Sequence, residues 1–242
     1  MTHAALNTRF AERFQLTSPI ALAPMALASG GALAAACAHA GALGLVGGGY
    51  GDLAWTQREY ALATELLNNE AAAQARLGCG FITWKLDENP AALDWVLTQR
   101  PSAIMLSFGD PRPYAARIQA AGAQLICQVQ RMDQVPMALE AGASVLVAQG
   151  GEAGGHGANA LEGRSTFTLV PEMADYLAAH APNTLLLAAG GVADGRGLAA
   201  ALMLGADGVL VGSRLWATTE SLAAAGAKTQ ATQTPGDGTA RS

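Results

Sequence analysis

Eight short apolar runs, each about the length of one strand, alternate with helix-patterned segments along almost the whole chain. They read as strands at Ile20–Met25, Leu43–Gly47, Leu77–Ile82, Ala103–Phe108, Gln124–Val129, Val145–Gln149, Thr184–Ala189 and Gly208–Gly212. Near-continuous apolar character marks a strand buried on both faces, which calls for a parallel sheet with helices outside it. The helical pattern falls between these runs, at Ala32–Ala40, Trp55–Ala73, Ala91–Arg100, Pro113–Ala121, Asp133–Ala141, Pro171–His180, Arg196–Leu204 and Thr218–Ala227. Pro113 and Pro171 suit first-turn positions, where a missing N–H costs no hydrogen bond.

A weak internal repeat supports the same alternation. Ala40-Gly41-Ala42, Ala121-Gly122-Ala123, Ala141-Gly142-Ala143 and Leu204-Gly205-Ala206 stand where a helix hands over to a strand. Glycine just beyond a helix end takes the left-handed conformation and keeps the connection short. Eight strand–helix units within 242 residues fit a single-domain (β/α)8 TIM barrel with few insertions. A doubly wound open sheet is the alternative, but no GxGxxG follows the first strand. The barrel therefore spans residues 1–228, and the polar stretch 229–242, with Pro235-Gly236-Asp237-Gly238, reads as a tail without a core of its own.

Composition closes off other classes. With 51% apolar residues the chain is not mainly disordered, and a formal charge of −5 gives no basic surface for nucleic acid. Between Arg13 and Asp52 lie 38 residues with no charge. Pro19, Pro24 and a series of glycines cut that stretch into strand-sized and helix-sized pieces, so it reads as barrel core and not as a membrane span. Met1–Phe10 lacks the basic start and apolar core of a signal peptide. Cys37, Cys79 and Cys127 are scattered, without CxxC spacing or a His cluster, which argues against a disulfide scaffold or metal site and suits a reducing cytoplasm.

Barrel chemistry belongs at the C-terminal strand ends. After the sixth strand, Gln149-Gly150-Gly151-Glu152-Ala153-Gly154-Gly155-His156-Gly157 sets five glycines around one imidazole. Backbone without side chains, as at Gly154 and Gly155, can lie flat against a planar ligand while His156 offers a proton-transfer group. The plainer reading is a surface loop with a solvated histidine. His3, His39 and His180 have no such setting and read as structural. After the seventh and eighth strands come Gly190-Gly191 and Gly212-Ser213, 22 residues apart from Gly191 to Ser213 and so on neighbouring loops. Loops at those two positions often hold a phosphate. Asp194 reads as a helix N-cap, and Arg196 and Arg214 as phosphate helpers or surface pairs. Met25 at the first strand end is either core or a wall against a flat ligand. Trp84 and Lys85 line or cap the mouth, and Ser107–Asp110 and Gln128–Gln130 also lie at strand ends. No carboxylate dyad or Ser–His–Asp set stands out.

The EAGGHG core of Gln149–Gly157, AAGGVADGRG at Ala188–Gly197 and LGADGVLVGSRL at Leu204–Leu215 together resemble the nitronate monooxygenase family. Ala23–Met25 and Ala40–Gly49 match its N-terminal elements, and the resemblance runs in order from about Pro19 to Ser221. It implies an FMN-dependent barrel that oxidises alkyl nitronates with O2. Met25 would then pack near the flavin through its backbone, and Gln128 and Gln149 would face the ring or ribityl chain. Gly190, Gly191, Gly212 and Ser213 would hold the phosphate, with Gly80, Gly154 and Gly155 also against the cofactor. His156 would be the base for neutral nitroalkanes. This chain departs from the family at Gly80, where many members carry Asn, at Gln128, where some carry Lys, and at Ser213, usually Thr. Family chains also continue past the last barrel helix, whereas this sequence stops at Ser242 in a stretch resembling the start of that continuation.

Two other functions stay open on the residues: an NAD(P)H-dependent FMN reductase acting on quinones or an enoyl thioester, and a degenerate flavin-binding barrel without catalysis. Expected partners are a small nitronate or nitroalkane and O2, with no nucleic acid, membrane or metal; homo-oligomerisation stays open.

Overall fold

Parallel strands form a ring, and the reason lies in which residues each strand turns inward. The computed structural model describes residues 6–68, 70–157 and 163–238. Its strands are β1 (Ile20–Leu22), β2 (Gly44–Gly49), β3 (Leu77–Ile82), β4 (Ala103–Ser107), β5 (Gln124–Val129), β6 (Val145–Gln149), β7 (Leu185–Ala189) and β8 (Gly208–Val211). They pair in the order β1-β8-β7-β6-β5-β4-β3-β2, every neighbour parallel. An isolated parallel bridge between Ala21 and Leu43 joins β1 back toward β2. Leu22 N–H donates to the Leu43 carbonyl and Leu43 N–H to the Ile20 carbonyl, both at 2.9 Å. This is the expected (β/α)8 barrel.

Alternate residues divide the apolar material into two bodies. Leu43, Leu45, Met105, Ile126, Val147 and Leu187 fill the barrel interior. Their neighbours, such as Val46, Cys79, Phe81 and Leu146, pack outward against the helices. The helices are α2 (Gly31–His39), α3 (Leu53–Leu66), α4 (Ala71–Gln74), α6 (Ala91–Thr98), α7 (Arg112–Ala120), α8 (Val135–Glu140), α9 (Thr166–His180) and α10 (Gly195–Met203). The uncharged run resolves into β1, α2 and β2, and α2 is buried over most of its surface. Among the described residues no helix is long and apolar enough to cross a membrane. All four helix-to-strand glycines, Gly41, Gly122, Gly142 and Gly205, have positive φ, between 75° and 95°.

Three helices lie outside the expected pattern. A first helix, α1 (Arg9–Phe14), places Phe10 and Phe14 against the interior residues and plugs the floor of the barrel. Arg9 holds it there through a two-pronged pair with Asp207, 2.8 Å on each arm, while Asp207 also accepts the Leu186 N–H at 2.9 Å. The short α5 (Thr83–Leu86) and α11 (Ser213–Trp216) follow β3 and β8 directly.

Several boundaries move for identifiable reasons. β1 stops at Leu22 and not Met25, because Met25 N–H turns back to the Ala23 carbonyl at 2.8 Å and Pro24 has no N–H to give. Helix α9 begins before Pro171, at a Ser165 cap whose hydroxyl accepts the Phe167 N–H, so the proline lies inside the helix. The last helix forms at Ala225–Gln233 (α12), later than the expected Thr218–Ala227. The carbonyls of Thr218, Thr219 and Ser221 take hydrogen bonds from Lys228 Nζ at 3.0–3.3 Å instead. Helix α12 crosses residue 229 and buries none of its residues.

Asp207 is the buried hinge of the floor. Replacing it with Ala strands the Leu186 N–H and leaves Arg9 with the Pro182 carbonyl in place of its carboxylate partner, and urea denaturation should register a loss of about 2–3 kcal/mol.

Candidate active site at the C-terminal rim

Parallel closure brings all eight strand ends to one rim, and the loops after β6, β7 and β8 meet there. Gly190 has φ +106° and Gly191 φ +75°, a backbone path closed to most side chains. A Cβ on Gly190 would lie 2.7 Å from the Ala153 N, and one on Gly191 would lie 3.5 Å from the Glu152 Cβ. A Cβ on Gly154 would lie 3.0 Å from the Ser213 hydroxyl. The histidine loop therefore rests on both glycine turns. Gly154, Gly155, Gly191 and Ser213 are exposed, and α11 opens at Gly212 without a side-chain cap. Early amides of a helix have no intrahelical partner, so this corner offers uncapped donors.

Glu152 fastens the loop to the start of α9. Its carboxylate accepts from the Ser165 hydroxyl at 2.5 Å and from the Thr166 N–H and hydroxyl at 2.8 Å each. The Thr166 hydroxyl also reaches the Ala189 and Gly190 carbonyls, at 3.2 and 3.1 Å, so β7 joins the same knot. Burial alone would push the Glu152 carboxyl up. The hydrogen bonds from Ser165 and Thr166 outweigh it and hold the group below the usual carboxylate range.

A second network lies at the ends of β5 and β6. Gln149 Oε1 accepts from Gln128 Nε2 at 3.0 Å and from Gln130 Nε2 at 2.8 Å. With its oxygen so placed, Gln149 Nε2 donates to the His156 carbonyl at 2.9 Å. Gln149 and Gln130 are buried. Gln130 is also pinned at its backbone, whose N–H donates to Gln134 Oε1 at 2.7 Å. In sequence Gln130 is only a strand-end residue; its neighbours in space bring it into the network. The His156 ring is exposed and faces Phe108, with ring centroids 5.9 Å apart and planes at 50°. Phe108 has φ +62°, strain of about 1–3 kcal/mol for a non-glycine residue.

Other expected residues divide. Met25 reaches the rim through its sulfur, 3.6 Å from where a Cβ on Gly212 would stand. Its N–H is engaged by Ala23 and Ser29, and its carbonyl by Ala28 and Ser29. Gly80 is not brought to the rim surface: it is buried, and a Cβ there would overlap the Pro24 ring. Asp194 is the N-cap of α10, accepting from Arg196 N at 2.9 Å and Gly197 N at 3.4 Å, with its carboxyl lowered to about 2 chiefly by the Arg196 side chain. Arg196 is thereby a surface pair, and Arg214 stands exposed at the start of α11. Trp84 is partly exposed, edge-on to Tyr50 at 6.5 Å and with Lys85 Nζ over its ring at 5.1 Å. His39 lies near the Glu70 carboxylate, His180 stacks on Tyr176, and His3 lies outside the described residues. The three thiols are free and buried, each pushed up to about 12 chiefly by desolvation.

The family model for nitronate monooxygenase matches residues 60–240, about three quarters of the chain and most of this rim. The chain belongs to the nitronate monooxygenase family. A nitronate monooxygenase from Neurospora crassa is 34% identical over 232 residues, covering 82% of this chain and 60% of that protein. Nitronate monooxygenase npaC from Metarhizium robertsii is 36% identical over 227 residues, covering 84% and 60%. The chain thus spans about 60% of the length of these nitronate monooxygenases. Among solved structures, the nitroalkane oxidase from Streptomyces ansochromogenes superposes with a TM-score of 0.78 at 26% identity, over 90% of this chain and 72% of that one. FabK from Thermotoga maritima gives 0.77 at 28%, over 90% and 65%.

Glu152 and Gly80 each make the rim's stability testable. A depressed carboxyl stabilises the fold above its unfolded value, near pH 4.3, and loses that contribution as pH falls through its folded value. Glu152→Gln should therefore lower the urea midpoint at neutral pH, and the gap to wild type should close below about pH 4.5. Gly80→Asn, far from adding a ligand, should destabilise the barrel by driving against Pro24, by about 1–3 kcal/mol in the same assay.

Proposed function

We propose that this chain binds FMN across the C-terminal rim and oxidises alkyl nitronates with O2, with His156 as the base that admits neutral nitroalkanes. One observation supports this reading above the others. The loop bearing His156 packs onto the Gly190–Gly191 and Gly212–Ser213 turns, so a candidate base and a donor-rich corner share one edge of the barrel.

The residues present fit the cofactor. The corner is open, rich in left-handed glycine and begins a helix, the chemistry that suits a phosphate. Gly190, Gly191, Gly212 and Ser213 would hold that phosphate, with Arg214 close in sequence to add charge. Gln128 and Gln149, bonded to each other, present remaining amide hydrogens and the Gln128 oxygen for a flavin ring edge. Met25 supplies a polarisable flank through its sulfur, and Gly154 and Gly155 leave room for a planar ring beside the loop. Gly80 contributes only by letting Pro24 pack down. When bound, FMN supplies the electron acceptor for the nitronate and the route to O2.

The chain's own work is the proton. A neutral nitroalkane holds an acidic C–H next to its nitro group. The His156 imidazole takes that proton, and the electron pair left on carbon delocalises onto the nitro oxygens. A substrate supplied as the nitronate skips this step. Structural likeness to FabK favours a second reading, in which NAD(P)H is the donor and a quinone or enoyl thioester the acceptor.

The purified protein should be yellow and release FMN on denaturation. Anaerobic mixing with a nitroalkane anion should bleach the flavin faster than mixing with NADH; rapid bleaching by NADH alone would establish the second reading. His156→Ala should lower turnover of neutral nitroalkanes by about 10²–10⁴-fold and leave nitronate turnover within a few-fold, measured by oxygen uptake.

A further inference from the structure

We propose that Phe108 is a positioning residue for the His156 base, an inference that rests on the function proposed above. Phe108 follows β4 directly and stands at φ +62°. Bulky residues rarely adopt that conformation, and such strain persists only where the surroundings over-determine it. The corner is held on both sides. Ser107 is in register with Ile82 and with Gln128. Gly109 is pressed against Thr83, where a Cβ would come within 2.8 Å of the Thr83 Cβ. Asp110 then accepts the Arg112 N–H at 2.9 Å and starts α7.

That backbone path would be met at lower cost by Gly or Asn. The residue type therefore calls for a reason beyond the turn. The ring is only half-buried, and the aromatic group it meets is the His156 imidazole, 5.9 Å away between centroids. His156 is otherwise exposed, and its known anchor is through the backbone, where Gln149 holds the carbonyl. An exposed imidazole so anchored keeps its side-chain rotations. Phe108 removes that freedom from one side and aims the ring toward the mouth, where the nitroalkane C–H must meet the nitrogen. Orientation of a reacting group is a large part of catalytic rate, and small misplacements cost about a hundredfold.

A packing role is the competing account. Phe108 also lines a cavity of about 30 Å³ together with Leu106, Cys127, Gln128 and Met137. Leucine would fill that space without presenting an aromatic face, which separates the two accounts.

The test uses the FMN-loaded full chain and its variants Phe108→Leu and Phe108→Tyr. Phe108→Leu should lower kcat for neutral nitroalkanes at least about tenfold. Nitronate turnover, KM and the urea midpoint should stay near wild type, and Phe108→Tyr should restore the loss. Independently of turnover, the His156 ring-proton resonances should move in Phe108→Leu and return in Phe108→Tyr. They are assigned by their loss in His156→Ala, with the His39 and His180 resonances as unmoved references. Unmoved His156 resonances overturn the proposal. So does an equal loss with nitronate and neutral nitroalkane, which marks packing alone. If the wild type oxidises neither substrate, the proposed function falls and takes this inference with it, and the wild-type control distinguishes that case.

Discussion

The close approach of backbone to backbone where the ring closes is the constraint on which the rest depends. Between β1 and β2 the barrel is joined by an isolated bridge, and helix α2 packs closely on β2 beside it. A Cβ on Gly44 would overlap the Ala34 carbonyl, and one on Gly47 the Met25 carbonyl. Small residues at this seam let the three-residue β1 and seven strands of four to six residues close around an interior of Leu, Ile, Val and Met. Closure then sends every strand's C-terminal end to the same rim, which alone brings Met25, Gln149, Gly190 and Gly212 into one neighbourhood.

The apolar plug and the polar-tied glycine loops occupy opposite ends of this barrel. At the floor, Phe10 and Phe14 plug the interior, and Asp207 binds α1 to β7 through a buried carboxylate. At the rim, loops are rich in glycine, exposed, and held by polar groups rather than by apolar packing. Glu152 ties the histidine loop to α9 and β7, and the three glutamines tie it to β5 and β6. Polar ties of this kind set position without filling the space a ligand needs, whereas a packed apolar loop would occupy it.

Gly80 shows how the surroundings of a strand residue are set by the fold. It is buried, and a Cβ there would overlap the Pro24 ring. Pattern-matching sees one position at a time, while the overlap concerns two residues far apart in sequence. Gln130 is the converse. Nothing in Gln128-Val129-Gln130 sets it apart, yet its amide fixes which way Gln149 faces and so which group holds His156.

From the sequence alone, strand and helix alternation, the left-handed handover glycines, the N-cap at Asp194 and the barrel class were all legible. Each depends on local periodicity or on a backbone angle that few residues tolerate. The motifs around His156 and the two glycine pairs were legible for the same reason, since their spacing equals one strand–helix unit. Tertiary structure decided what depends on distant partners: that Arg9 reaches Asp207, that α9 runs through Pro171 from a Ser165 cap, and that Lys228 gathers carbonyls where a helix was expected. It also decided that Phe108 bears a strained backbone beside the His156 ring. Such features arise from long-range hydrogen bonds and exclusion of volume, which no window of neighbouring residues contains.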